Sequence, residues 1–192
     1  MDDSRKIDSG KRSQVSLDII ELMLEEQTSM KDVYASKLIA ESKARTLGAL
    51  KNKSSREFRS YLETSDSFLR SHLGSKVQMT ILYVDLVGST HMSMILPLET
   101  ITTIIQTFVQ EMTVVVANNY RYVLKYIVDA IIAYFPVTNE TGFHTYYKRA
   151  LLCAIDMLVT VVHGVNTIFN EFDFPELHLK IGIDSGVNAI IE

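Results

Sequence analysis

Residues Val77 to Val84 (VQMTILYV) form an apolar, β-branched run that ends at Asp85, just ahead of Gly88-Ser89-Thr90. A run of this length bounded by a turn signal reads as a buried strand entering a tight turn. The pattern that follows has a different period. Leu98, Ile101, Ile104, Ile105, Phe108, Val109, Met112, Val115 and Val116 recur at helical spacing between Pro97 and Asn118, with Pro97 suited to a first turn and Asn118-Asn119 to a stop. Tyr120 to Ile127 and Ala130 to Phe135 then read as two strands around Val128-Asp129, closed by Pro136. Phe143 to Phe169 reads as a long helix with apolar positions at Leu151, Leu152, Ile155, Leu158, Val159 and Val162, and Leu177 to Ile183 as a last, alternating strand. The order strand, helix, strand, strand, helix, strand predicts an α+β fold. It is a ferredoxin-like βαββαβ sandwich, an antiparallel-rich sheet with helices on one face.

Composition narrows the alternatives. Apolar residues make up 47% of the 192, with only 8 Gly and 3 Pro, which excludes a collagen-like or low-complexity chain. The single cysteine, Cys153, excludes a disulfide framework and a cysteine zinc site, and on an apolar helix it reads as core. Residues 1–76 carry 14 Lys/Arg and 12 Asp/Glu, whereas residues 77–192 carry 5 and 11. This shift in charge density predicts a boundary near Gly74-Ser75. It separates a helical, partly disordered N-terminal region (residues 1–75) from a packed domain (residues 76–192). In the N-terminal region Leu17, Leu24 and Leu38 share a heptad phase that Lys31 and Arg45 interrupt, so a sustained coiled-coil seam is not supported. Phe58, Tyr61, Leu62, Phe68, Leu69 and Leu73 suit a helix with one apolar stripe. A helical pair packed on its own domain and a dimerisation or signal-relay element both fit this region. The net charge of −4 gives no reason to expect nucleic acid as a partner. The N-terminus lacks the apolar core of a secretory signal, and the segment Leu151 to Val165 is interrupted and short for a bilayer, so the expectation is a cytoplasmic protein without a membrane span.

Two acidic residues interrupt the apolar strands: Asp85 at the end of the first and Asp129 in the hairpin. In the expected layout the first strand is central and beside a hairpin strand, so the two carboxylates can converge. Close carboxylates repel and are costly to desolvate, so a cation between them is expected. Hard oxygen donors suit Mg²⁺ or Mn²⁺, and Mg²⁺ uses one or two carboxylates together with substrate phosphates. The small-residue turn Gly88-Ser89-Thr90 can expose backbone N–H groups to a polyphosphate. Taken singly, each Asp also fits a simple turn or strand cap. The histidines, His72, His91, His144, His163 and His178, show no metal-ligand spacing.

The segment Tyr83-Val-Asp85-Leu-Val-Gly88-Ser89-Thr90 resembles the first metal motif of class III nucleotidyl cyclases. Tyr122 to Phe135 is similar to the second, with Lys125 four residues before Asp129, and Leu179-Lys-Ile-Gly182-Ile-Asp-Ser-Gly186 is similar to a later family strand. The resemblance covers about residues 77–192. It implies that Asp85, Asp129 and the backbone carbonyl of Leu86 hold two Mg²⁺ (or Mn²⁺), and that Gly88, Ser89 and Thr90 contact substrate phosphate. The reaction implied is attack of the ribose 3′-hydroxyl on the α-phosphorus of a nucleoside triphosphate, giving a 3′,5′-cyclic nucleotide and pyrophosphate. Lys125 is implied as the base-reading residue. Lysine only donates hydrogen bonds, and adenine N1 is an acceptor where guanine N1 carries a hydrogen, so ATP is favoured over GTP. The family's site lies between two protomers, which implies a homodimer. Val128 stands where the family has Gly, and Lys180 where it has Arg. The family's transition-state residues come from a later segment, expected beyond Glu192, so the domain is expected to be C-terminally incomplete and inactive alone. The alternative is a non-catalytic cyclase-like module that binds a nucleotide or a partner.

Overall fold

The computed structural model describes residues 31–51, 59–119, 121–137 and 145–191. The chain divides into two units, Met1–Lys37 and Leu38–Glu192. Of the first, residues 31–37 are described and are helical. The second runs through α1 (residues 38–51), α2 (Arg59–Ser71), β1 (Lys76–Leu86), α3 (Ser89–Ile95), α4 (Leu98–Asn118), β2 (Tyr122–Ile127), β3 (Ala130–Pro136), α5 (Thr145–Val159), a π-helical turn (Thr160–Val165), α6 (Asn166–Glu171) and β4 (Leu179–Ala189). Residues 1–14, Phe58, Tyr120 and the expected helix start at Phe143 lie outside the described residues.

The strand order is β2-β3-β1-β4, and each of the three pairings is antiparallel. This is the βαββαβ sandwich expected from the sequence. β1 is longer than the apolar run suggested. It extends through Leu86 because it is paired on both edges, with Asp85 opposite Ala130 on one side and Lys180 on the other. β4 likewise runs to Ala189 rather than Ile183, because its partner β1 continues beside it. Successive side chains on a strand point to opposite faces. Leu82, Val84 and Leu86 therefore enter the main core with Ile104, Phe108 and Met112 of α4, while Tyr83 and Asp85 face the other side.

The α5 segment shows where periodicity misled. Its core face is Tyr146, Ala150, Cys153, Ala154 and Met157, all buried, followed by Val161. Of the expected stripe, Leu151, Leu152, Ile155, Leu158 and Val162 are exposed (Leu151 by 54%) and Val159 is half-buried. Apolar residues cover more of this helix than the arc that is buried, so apolar spacing alone does not choose its inner face. The buried face combines the small Ala150, Cys153 and Ala154 with Tyr146 and Met157. Contrary to the expectation of no candidate span, Leu98–Asn118 and Tyr146–Glu171 are each long and apolar enough to cross a membrane, with 56% and 50% of the apolar window buried.

The second face of the sheet is covered at one end by α2. The Phe68 ring stacks on Tyr122 with centroids 5.1 Å apart, and Tyr122 stacks on Tyr134 at the same separation. Ser65 Oγ donates to Tyr134 Oη (3.2 Å), and Tyr134 Oη donates to the Ser65 carbonyl (3.1 Å). Burial pushes the Tyr134 phenol up to about 12. Leu69 joins this contact, whereas Leu73 is exposed.

α1 is fastened to α4 by a polar lock. Arg45 Nε and Nη2 donate to the two carboxylate oxygens of Glu111 at 2.9 and 2.8 Å, and the Glu111 side chain is wholly buried. Ser42 sits so close to Gly164 in the π-helical turn that a Cβ there would lie 2.4 Å from its Oγ. Removing one partner of a buried pair leaves an uncompensated charge. Arg45→Ala is therefore expected to lower stability by about 3 kcal/mol in urea denaturation, and the joint replacement Arg45→Met with Glu111→Leu to recover most of it. Cys153 offers a second check. Burial, followed by the Asp156 charge, pushes its thiol up to about 12, so little thiolate exists near pH 8. Its labelling by a disulfide reagent should wait for denaturant; rapid labelling of the folded chain would contradict its place in the core.

Candidate functional site

The site is assembled where β1 ends. The Leu86 N–H donates to the Asp129 carbonyl (3.1 Å), and the Val87 N–H donates to the His178 carbonyl (2.9 Å). The end of β1 is thus held between the β2–β3 hairpin and the approach to β4. Gly88 then turns the chain at φ 76° in the left-handed region, where only glycine sits without strain, and its carbonyl accepts from the Met92 N–H (2.9 Å). Gly88-Ser89-Thr90 was expected as a turn. Instead, Ser89 opens the short helix α3, with its side chain directed at the hairpin. Ser89 is 9% exposed, and its Oγ donates to Asp129 Oδ2. Thr90 is exposed.

Asp85 and Asp129 are brought together by strand register. Asp85 pairs with Ala130, the residue after Asp129, and Asp129 is bonded through its backbone to the residue after Asp85. Tyr83 stands two residues before Asp85, on the same face of β1. Its phenol is raised above the ordinary value by desolvation and then by the charges of Asp85 and Asp129. Both carboxylates therefore act on one phenol. The sequence treated Tyr83 only as the aromatic of a motif; nothing but the register could place it beside Asp129.

Lys125 lies on β2 opposite Ile132, next to an irregularity in pairing between Val123 and Lys125. A bulge re-aims side chains. Val123 enters the core, Tyr126 Oη accepts from Thr113 Oγ1 (3.2 Å), and Lys125 is exposed on the strand. Ile132 is also the cross-strand partner of Tyr83, which puts Lys125 on the site's face two strands away. A further cation, Lys180, stands directly across from Asp85 on β4. The sequence marked it only as a replacement for arginine, because its neighbour across the ladder is 95 positions away.

The hairpin tip is unusual. Ile127 pairs with Ala130, leaving the two-residue loop Val128-Asp129, and Val128 adopts φ 45° while 76% exposed. The first position of such loops can demand positive φ, which favours glycine. A β-branched residue there is strained by about 1–2 kcal/mol.

Among the described residues no group of three or more His, Cys, Asp or Glu is gathered for a metal ion. Two carboxylate residues at neighbouring backbone positions still offer the donor type of a divalent cation that takes its remaining ligands from phosphate and water. Asp85 and Asp129 fit that requirement. His91 and His178 are both exposed.

No family model and no curated protein matches the sequence. Solved structures do. The guanylyl cyclase Cya2 superposes with a TM-score of 0.53 at 24% identity, over 59% of this chain and 56% of that one. The adenylyl cyclase CyaB from P. aeruginosa superposes with a TM-score of 0.53 at 19% identity, over 59% and 58%. The fold is that of class III adenylyl and guanylyl cyclase catalytic domains. The match spans less than two thirds of either structure's length.

The backbone requirement at Gly88 is directly testable. Gly88→Ala is expected to lower stability by about 1–2 kcal/mol, although its Cβ would meet no atom within 4 Å. Gly182→Ala, in equally open space without a positive φ, should change it by less than about 0.5 kcal/mol. Thermal unfolding of the two variants separates the backbone effect from side-chain crowding.

Proposed function

We propose that the sheet domain is a nucleotidyl cyclase module. It binds a nucleoside triphosphate through divalent cations held by Asp85 and Asp129 and forms a 3′,5′-cyclic nucleotide and pyrophosphate. The observation that carries this reading is the register of β1 against β3, which sets two carboxylates, 44 positions apart in sequence, on either side of one backbone hydrogen bond. Cyclase-like topology supports the reading at the level of fold. The divalent ions, Mg²⁺ or Mn²⁺, would neutralise charge on the polyphosphate and favour the 3′-hydroxylate as nucleophile. The chain's own part is to orient the triphosphate and to keep its charged groups in one fixed arrangement.

Lys125 is the base-reading residue in this proposal. Its position two strands from Asp85, and its exposure, suit a role toward a nucleotide held by a second copy of the chain, so the working unit is a homodimer. As a pure donor it favours adenine N1, which makes ATP the preferred substrate and cyclic AMP signalling the implied role.

The reading is tested with a fluorescent non-hydrolysable ATP analogue and its GTP counterpart, titrated with and without Mn²⁺. Binding to the wild-type chain should require Mn²⁺ and favour the ATP analogue. Asp85→Ala and Asp129→Ala should each weaken it by at least tenfold. Metal-independent binding, or binding unchanged in both variants, would sink the cation role. Lys125→Glu should narrow the preference for the ATP analogue; an unchanged ratio removes Lys125 from base reading.

A further inference from the structure

We infer that Ser89 is a positioning residue. Its hydroxyl holds the Asp129 carboxylate and, through Asp129, keeps the strained Val128 turn in its left-handed conformation. Four observations converge on this clamp. Ser89 is nearly buried, and its Oγ donates to Asp129 Oδ2. The Asp129 carbonyl is tied separately to the Leu86 N–H. The neighbouring Val128 adopts φ 45° with an exposed side chain, so no packing around that side chain explains the conformation. Gly88, at φ 76°, supplies the sharp turn that carries Ser89 back toward the hairpin.

A residue in a sparsely populated backbone region persists only when its surroundings over-determine it. Here the surroundings are the two bonds to Asp129. One fixes the backbone of the loop's second residue and the other fixes its side chain, which leaves Val128 little freedom to relax. The same bond orients the carboxylate. Oδ2 is occupied by the hydroxyl, and Oδ1 accepts no hydrogen bond among the described residues, which leaves it for a cation. Ser89 therefore acts through Asp129 rather than on phosphate. The cation part of the inference rests on the proposed nucleotide-binding reading; the clamp itself does not.

The test is a double-mutant cycle on the 192-residue chain, read by amide hydrogen exchange and by Mn²⁺ affinity. Ser89→Ala should speed exchange of the hairpin amides between Ile127 and Ile131 by at least tenfold, while the α4 amides stay unchanged. Ser89→Thr, which keeps the hydroxyl, should preserve protection. In a Val128→Gly background, where the turn is no longer strained, the effect of Ser89→Ala should fall below threefold. Equal effects in both backgrounds, or no effect in either, would overturn the clamp. Mn²⁺ binding should weaken about 10- to 100-fold in Ser89→Ala and recover in Ser89→Thr. If Asp129→Ala abolishes Mn²⁺ binding while Ser89→Ala leaves it intact, the positioning role is wrong and the proposed function stands. If the wild-type chain binds no Mn²⁺, the proposed function and the cation role fall together, and the exchange cycle still decides the clamp.

Discussion

The open end of the sheet depends on β1 being hydrogen-bonded along both edges. An edge strand could fray at its polar last turn, but a central strand holds that turn in register with β3 and β4 at once. The consequence is local and chemical. Asp85 faces Ala130 on one side and Lys180 on the other, and the next backbone N–H reaches the hairpin carbonyl of Asp129. Three segments far apart in the chain thus meet at one place, with no long side chain needed to bridge them.

The two faces of this sheet are finished differently. One carries an apolar core in which α4 and α5 bury Phe108, Met112, Cys153 and Met157 against Leu82, Val84 and Leu86. The other is covered by α2 through stacked aromatics near the start of β1, and it is polar where Tyr83, Asp85 and Lys125 emerge. Aromatic stacking and the Ser65–Tyr134 hydrogen bonds position α2 without extending an apolar surface to the carboxylates. That division lets one side of the sheet supply the apolar core while the other carries the polar residues of the site.

Polar contacts also decide how the remaining pieces are held. α1 is joined to α4 by the Arg45–Glu111 pair and approaches the π-helical turn closely at Ser42 and Gly164. The hairpin is held by Ser89 and Leu86 against the conformational preference of Val128. In both cases a directional bond fixes geometry that hydrophobic burial alone would leave loose.

The sequence by itself determined the strand–helix order, the sheet class and the identity of the two strand carboxylates. These follow from local periodicity, from turn residues and from the cost of placing charge in an apolar run. The inner face of α5 was not legible from apolar spacing, because Leu151, Ile155 and Leu158 widen the apolar arc beyond the buried one; packing against the sheet chose Cys153 and Met157 over Leu151 and Ile155. Equally hidden were Lys180 across the ladder from Asp85 and the reach of both carboxylate charges to Tyr83, since register joins residues that no spacing rule connects. Ser89 marks the same boundary: the sequence placed it in a small-residue turn, and only the tertiary structure shows its hydroxyl on Asp129, where the left-handed Gly88 has turned the chain into α3.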